Sequence, residues 1–203
     1  MISAMFSSLR YRLLFCILYV GIVACAPVKI TYFKPIGDGL LVGGGSCNGP
    51  RETISYPLLN GSMLYSSAHQ LDGEDGVSIR VAFLLRPDTY VRLVDKKVLL
   101  KINGAKEYVD FDIEKIEGMK WDGEKFIHWS YNPDDLLVAD QVLKTKFVDS
   151  FHEYWFRIEY KGETPVTMEV ITPEIVVNDK RNRGEYIKYE LNDSVYLQAL
   201  FCP

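Results

Sequence analysis

The stretch Val77-Ser78-Ile79-Arg80-Val81-Ala82-Phe83-Leu84-Leu85-Arg86 decides the fold class. Its odd positions are all large and apolar, while its even positions include Ser78, Arg80 and Arg86. Successive side chains of a strand point to opposite faces, so a period of two with one polar-leaning face reads as a half-buried β-strand. The alternation returns at Val98, Leu100 and Ile102 against Lys97, Lys101 and Asn103, and at Val109, Phe111 and Ile113 against Asp110, Asp112 and Glu114. It recurs at Tyr154, Phe156, Ile158 and Tyr160, at Val166, Met168 and Val170, and at Val195, Leu197, Ala199 and Phe201. Asn60-Gly61, Asp72-Gly73, Asn103-Gly104, Asp122-Gly123 and Lys161-Gly162 punctuate these runs, and such pairs supply the positive φ angles that tight hairpins require. Short strands at this spacing predict an all-β fold, an antiparallel β-sandwich of immunoglobulin-like kind.

One segment breaks the pattern. In Asn132-Pro133-Asp134-Asp135-Leu136-Leu137-Val138-Ala139-Asp140-Gln141 an Asn cap precedes Pro at the first helical position and acids in the first turn. That order suits the helix dipole and predicts one short helix over 133–141, connecting strands across one end of the sheet.

The amino terminus carries an address. Arg10 and Arg12 appear without any acid and lead into an apolar run of about 12 residues over 13–24, the pattern of a secretory signal. About 20 residues would be needed to cross the hydrocarbon, so the run is short for a transmembrane helix. At its end stands Ile22-Val23-Ala24-Cys25, which resembles the lipobox of bacterial lipoproteins. The resemblance covers only the signal and the cysteine. It implies removal of 1–24, a diacylglycerol on the Cys25 thiol and acylation of the new amino group. With Ala26 and not Asp after the cysteine, it also implies sorting to the outer membrane, with the bilayer as a partner through acyl chains on Cys25. The same letters allow a second cut: Ala24-Cys25-Ala26 fits the A-x-A pattern of ordinary signal peptidase, which would release a secreted protein without the cysteine. One acyl chain anchors marginally and two anchor stably, so the two products differ in kind.

Of the four cysteines, Cys16 leaves with the signal and Cys25 is lipidated or removed. Cys47 and Cys202 remain, and an even pair in an exported chain suggests a disulfide between them. Loss of 1–24 also removes two arginines and no acid, leaving 21 basic against 27 acidic residues. A mildly acidic chain without a basic block excludes nucleic acid as a partner and argues against electrostatic attachment to anionic lipid. Residues 25–203 are then expected to form one domain, with a Gly-rich surface loop at 37–49. If 28–33 joins the sheet, the tether to the lipid is short; otherwise the glycine run lengthens it to Cys47.

Chemistry is sparse. Gly43-Gly44-Gly45-Ser46-Cys47-Asn48-Gly49 lacks the Gly-Lys-Ser/Thr ending of a phosphate loop, and Asn48 stands where a nucleophile elbow needs glycine. His69, His128 and His152 are far apart with no second ligand at metal spacing. Asp110, Asp112 and Glu114 share one strand face, and Asp72-Gly73-Glu74-Asp75-Gly76 is an incomplete oxygen cage; both read as solvated surface. The sequons Asn60-Gly61-Ser62 and Asn192-Asp193-Ser194 read as turns. The aromatics, 13 Tyr, 10 Phe and 3 Trp, include Phe151-His152-Glu153-Tyr154-Trp155-Phe156-Arg157, which sets Trp155 and Arg157 opposite an apolar row. Such residues can serve as a stacking platform for a glycan, but a two-layer fold more readily uses them for packing. The sequence therefore implies no cofactor and no catalytic residue. It points to a lipid-anchored envelope protein that binds or scaffolds another envelope protein or a glycan, by edge-strand addition or an aromatic face. The rival is a secreted or periplasmic hydrolase, which requires a deep pocket holding His128 or His152 beside a carboxylate and a hydroxyl.

Overall fold

Val77, Ile79, Val81, Phe83 and Leu85 all lie buried on one face of a strand, and the rest of the fold is organised around that face. The structure is a computed structural model that describes residues 25–43, 49–121, 125–139 and 152–199. In chain order its strands are β1 (Cys25–Ile36), β2 (Leu40–Val42), β3 (Thr53–Pro57), β4 (Met63–Gln70), β5 (Gly76–Leu85), β6 (Tyr90–Leu93), β7 (Lys97–Ile102) and β8 (Val109–Asp112). There follow β9 (Ile116–Trp121), β10 (Phe126–Tyr131), β11 (Leu137–Val138), β12 (His152–Lys161), β13 (Thr167–Ile171), β14 (Ile175–Val177), β15 (Lys180–Asn182) and β16 (Tyr186–Ala199). The Gly-rich stretch 37–49 is not loop throughout, because Leu40–Val42 forms β2 at a sheet edge.

Seven strands make one sheet, in the order β10-β9-β12-β5-β4-β3-β2. Five make a second, β1-β16-β13-β7-β8, and four make a third, β11-β6-β14-β15. The third continues the second: β13 pairs with β7, and β14, next along the chain, pairs with β6. The two are halves of one layer bent at 94–96 and 172–174. Pro173 stands in the bend, where a missing N–H does least harm to a ladder. The Val94 N–H donates to the Glu174 carbonyl at 2.8 Å and the Thr172 N–H to the Glu185 carbonyl at 3.0 Å, so the bend is hydrogen-bonded rather than frayed. The bent layer packs Phe33, Leu100, Met168 and Tyr189 against Ile54, Phe83 and Phe156 of the seven-stranded sheet in one core. Full burial of each such side chain contributes about 1.5–3 kcal/mol.

The fold is thus all-β, an antiparallel sandwich as the alternation predicts. The strand order goes no further toward the immunoglobulin-like arrangement. The hairpin signal Asn103-Gly104 appears as expected: both residues have positive φ, 49° and 69°, and the Ala105 N–H closes the turn onto the Ile102 carbonyl at 2.9 Å.

The helix expected over 133–141 is corrected. Its described part, 133–139, is a turn followed by β11. The Asn132 N–H donates to the Asp135 carboxylate at 2.7 Å and the Asp135 N–H returns to the Asn132 carbonyl at 3.0 Å. The residues chosen as a helix cap close a turn instead. Leu137, fully buried opposite Val91, then pulls the chain into a sheet. Residues 140 and 141 lie outside the described residues.

β1 pairs with β16 over its whole length, from Cys25 opposite Ala199 to Ile36 opposite Lys188. β13 covers the other side of β16 only between Tyr186 and Glu190, so 25–32 and 192–199 form a two-stranded ribbon rooted by the buried Phe33. The Leu191 N–H points away from β1, donating to the Val166 carbonyl at 2.8 Å. Its partner Phe33 therefore sits in a non-hydrogen-bonded pair, and the odd residues of β1 turn their backbone groups outward. Pro27 and Pro35 are two of these, and having no N–H they blunt the free edge against pairing with other chains.

Candidate functional site

Cys25 lies in β1, paired opposite Ala199, so a group on Cys25 would be joined directly to the sheet. The strand over 28–33 takes part in that sheet, which is the short-tether geometry. Cys47 and Cys202, the expected disulfide, both lie outside the described residues, as does Ser46.

The aromatic face is the second place to look. Ser130, Glu117, Trp155, Ala82 and Tyr65 line up across β10, β9, β12, β5 and β4 on the outer face of the large sheet. Trp155 does stand opposite the core row, as the alternation predicts, yet it is only 8 % exposed. The Arg80 guanidinium lies over its ring at 4.9 Å, and its indole N–H donates to Glu117 at 2.8 Å. Arg80 is held in turn by Glu153 at 2.5 Å. The indole is packed and hydrogen-bonded, so it offers no open face for stacking a sugar ring. The Glu117 carboxyl is held below its ordinary range, first by the Lys115 ammonium and then by the Trp155 N–H, against the opposing effect of burial.

The histidines are dispersed. His69 stands 3.4 Å from Glu52 at the surface. His152 is buried with Nδ1 3.2 Å from the Val138 carbonyl, which also accepts the Tyr154 hydroxyl at 2.5 Å. His128 does meet a carboxylate and a hydroxyl: it lines a shallow pocket of about 270 Å³ with Glu117 and Ser130. His128 packs edge-on to Trp155, while both oxygens of Glu117 are taken by Lys115 and Trp155. A nucleophile–base–orienter chain requires those partners to be bonded to each other. Of the Asp110, Asp112 and Glu114 row, Asp110 is bonded to Lys97 at 2.8 Å. Among the described residues no group of three metal-ligating side chains converges.

Tyr56, beside Gly37 and Gly39, has a phenol pushed up to about 12, by burial first and then by Glu185 and Asp38. An unfolded tyrosine titrates near 10. Below pH 10 both states are protonated and the stability is full; between about 10 and 12 the unfolded state loses its proton first, so stability falls as pH rises. Tyr189 is raised further by complete burial and acts in the same sense. Urea unfolding at pH 8, 10, 11 and 12 is expected to show a declining midpoint above pH 10, shallower in Tyr56→Phe. An equal decline in that variant would place the titration elsewhere.

A groove of about 520 Å³ runs along β12, with the apolar Phe111, Phe156 and Ile158 beside charged residues of both signs, Lys115, Arg157 and Lys161 with Asp112, Glu114, Glu117 and Glu159. The Gly162 N–H donates to the Asp75 carbonyl at 3.4 Å, continuing the β12–β5 register in which Lys161 opposes Gly76. The even residues of β12 therefore bond β5, and the odd residues turn their N–H and C=O the other way. There β9 covers β12 only from His152 to Trp155. Just before β9 the chain belongs to the opposite layer, since the Ile113 N–H donates to the Lys96 carbonyl at 2.8 Å. Arg157, Glu159 and Lys161 thus face an edge along which no described strand pairs. Sequence reading missed this site; its only signal is that β12 alternates over more residues than its neighbour β9.

In comparisons with known proteins, the chain matches no family model, no curated protein and no solved structure.

Proposed function

We propose that this protein is a lipid-anchored component of the bacterial cell envelope, cut before Cys25, whose β-sandwich binds another envelope component without catalysing a reaction. The observation that carries the anchor is the lipobox-like Ile22-Val23-Ala24-Cys25 at the end of the apolar run. Cys25 itself lies in β1, paired opposite Ala199. Acyl chains there would hold the domain against the headgroups, on the outer membrane given Ala26. The binding half is supported by the open edge of β12 and the groove beside it, which sets Phe111, Phe156 and Ile158 among charged side chains. The hydrolase alternative has less support, since Ser130, His128 and Glu117 share a shallow pocket but are not bonded to one another. We assign Cys47 and Cys202 to a disulfide on the cysteine count.

The test is the intact mass of the protein extracted from membranes, with and without reductant. The expected chain starts at Cys25, carries two or three acyl chains, and gains two hydrogens on reduction. Cys25→Ala is expected to leave an unacylated protein in the soluble fraction. An unmodified wild-type chain starting at Pro27 or Val28 would overturn the anchor and leave a secreted protein.

A further inference from the structure

We propose that the open half of β12 is an acceptor for an extended segment of a partner protein with the pattern acidic–apolar–basic–apolar–acidic. The inference deepens the binding half of the proposed function and rests on it; the anchor is independent, because Cys25 belongs to a different sheet from β12.

A strand added at this edge would bond the free N–H and C=O groups of Arg157, Glu159 and Lys161, six hydrogen bonds over about 17 Å of strand. Its register then dictates its side chains. Residues opposite Arg157, Glu159 and Lys161 lie on the outer face, where all three side chains are exposed. Residues between them lie on the inner face, over Phe111, Phe156 and Ile158 of the groove. Opposite charges directly across a pair of strands stabilise and like charges destabilise. The alternation Arg157(+), Glu159(−), Lys161(+) therefore selects acid, base, acid on the incoming strand, with apolar residues between. The pattern is the same read in either direction, so parallel and antiparallel addition demand one motif.

The same charges argue against a second copy of this chain as the occupant. Antiparallel self-pairing that uses the whole open edge is centred on Glu159, placing Glu159 against Glu159 and Arg157 against Lys161. All three positions then meet like charge. A shift toward Trp155 runs the partner into β9, and a shift the other way leaves only Glu159 and Lys161 of the open strand facing the partner's strand. Blunting is also missing here: Pro27 and Pro35 protect β1, whereas no proline lies in β12.

The probes are two synthetic peptides, Glu-Val-Lys-Val-Glu and Lys-Val-Glu-Val-Lys, each flanked by glycines and titrated onto the full-length protein in detergent. The first is expected to bind at least about fivefold more tightly, from three pairs changed from like to opposite charge. Glu159→Pro removes an N–H that the fold does not use, so the unfolding midpoint is expected to stay within a few degrees while binding is lost. Should proline disturb the strand, Glu159→Lys supplies the second arm: it is expected to switch preference to Glu-Val-Glu-Val-Glu. Equal binding of the two peptides, unchanged preference in Glu159→Lys, or binding that survives Glu159→Pro in a folded protein would each overturn the assignment. So would slow hydrogen exchange at the amides of 157, 159 and 161 in the free protein, or a concentration-dependent dimer abolished by Glu159→Pro, which would make the occupant a second copy.

Discussion

Gly184→Ala is expected to lower the stability of this domain by about 3 kcal/mol or more, the upper range for a side chain forced into a packed site. A methyl group at Gly184 would run into the backbone carbonyl of Thr172, and beyond it lies the Ile171 side chain at 3.3 Å. Backbone is the obstacle, so no rotamer change relieves it. Nor can Thr172 retreat: its N–H donates to the Glu185 carbonyl at 3.0 Å, and its hydroxyl accepts the Glu185 N–H at 2.8 Å. These bonds hold the inside of the bend where β13 passes into β14 and the chain turns from β15 into β16. For a domain of this size the loss corresponds to a fall of roughly 6–12 °C in the unfolding midpoint. Gly61→Ala is the comparison. Gly61 has φ of 73° with open space around its Cα, so only backbone strain of about 1–2 kcal/mol is expected there. Thermal unfolding followed by circular dichroism separates the two, and equal losses would show that the bend tolerates the methyl.

The contrast between those two glycines also shows what the sequence could disclose. Asn60-Gly61 is a local signal, readable because the turn needs positive φ whatever surrounds it. Gly184 is required by Thr172, twelve residues away, and no local pattern announces it. The strands divide in the same way. β5 and β12 were legible because one face of each is largely apolar and buried while the other carries polar and charged residues, which writes the alternation into the sequence. β11 was not, since two residues have no period, and Asn132-Pro133-Asp134 carries a cap signal that suits a turn as well as a helix. At Trp155 the alternation gave the right face but could not give its cover, because Arg80 and Glu117 come from neighbouring strands. The open edge is the most distant kind of information. It depends on where β9 parts from β12, which is set by the crossing of the chain between layers at Ile113. The address proposed from Ile22-Val23-Ala24-Cys25 is the reverse case, a reading that rests entirely on a short sequence.

Tyr189→Ala is expected to cost about 4 kcal/mol, the range for removing a large buried aromatic, and to leave Ser66 without its partner. Tyr189 is fully buried, and its hydroxyl donates to the Ser66 Oγ at 2.7 Å across the interface between the two layers. Two effects are combined in that number, and they can be separated. Tyr189→Phe keeps the ring and deletes the hydroxyl, so about 1–2 kcal/mol is expected from the lost bond and the stranded serine. Ser66→Ala strands the phenol instead and should cost a similar amount. With both substitutions the polar pair is gone and nothing is left unsatisfied, so the double variant should be less destabilised than the sum of the singles. Urea unfolding of the four proteins measures this coupling. Additive losses would mean that the bond contributes nothing beyond the packing of the ring. Burial also raises the Tyr189 phenol, so, like Tyr56, it contributes stability that is expected to be lost as pH rises above about 10.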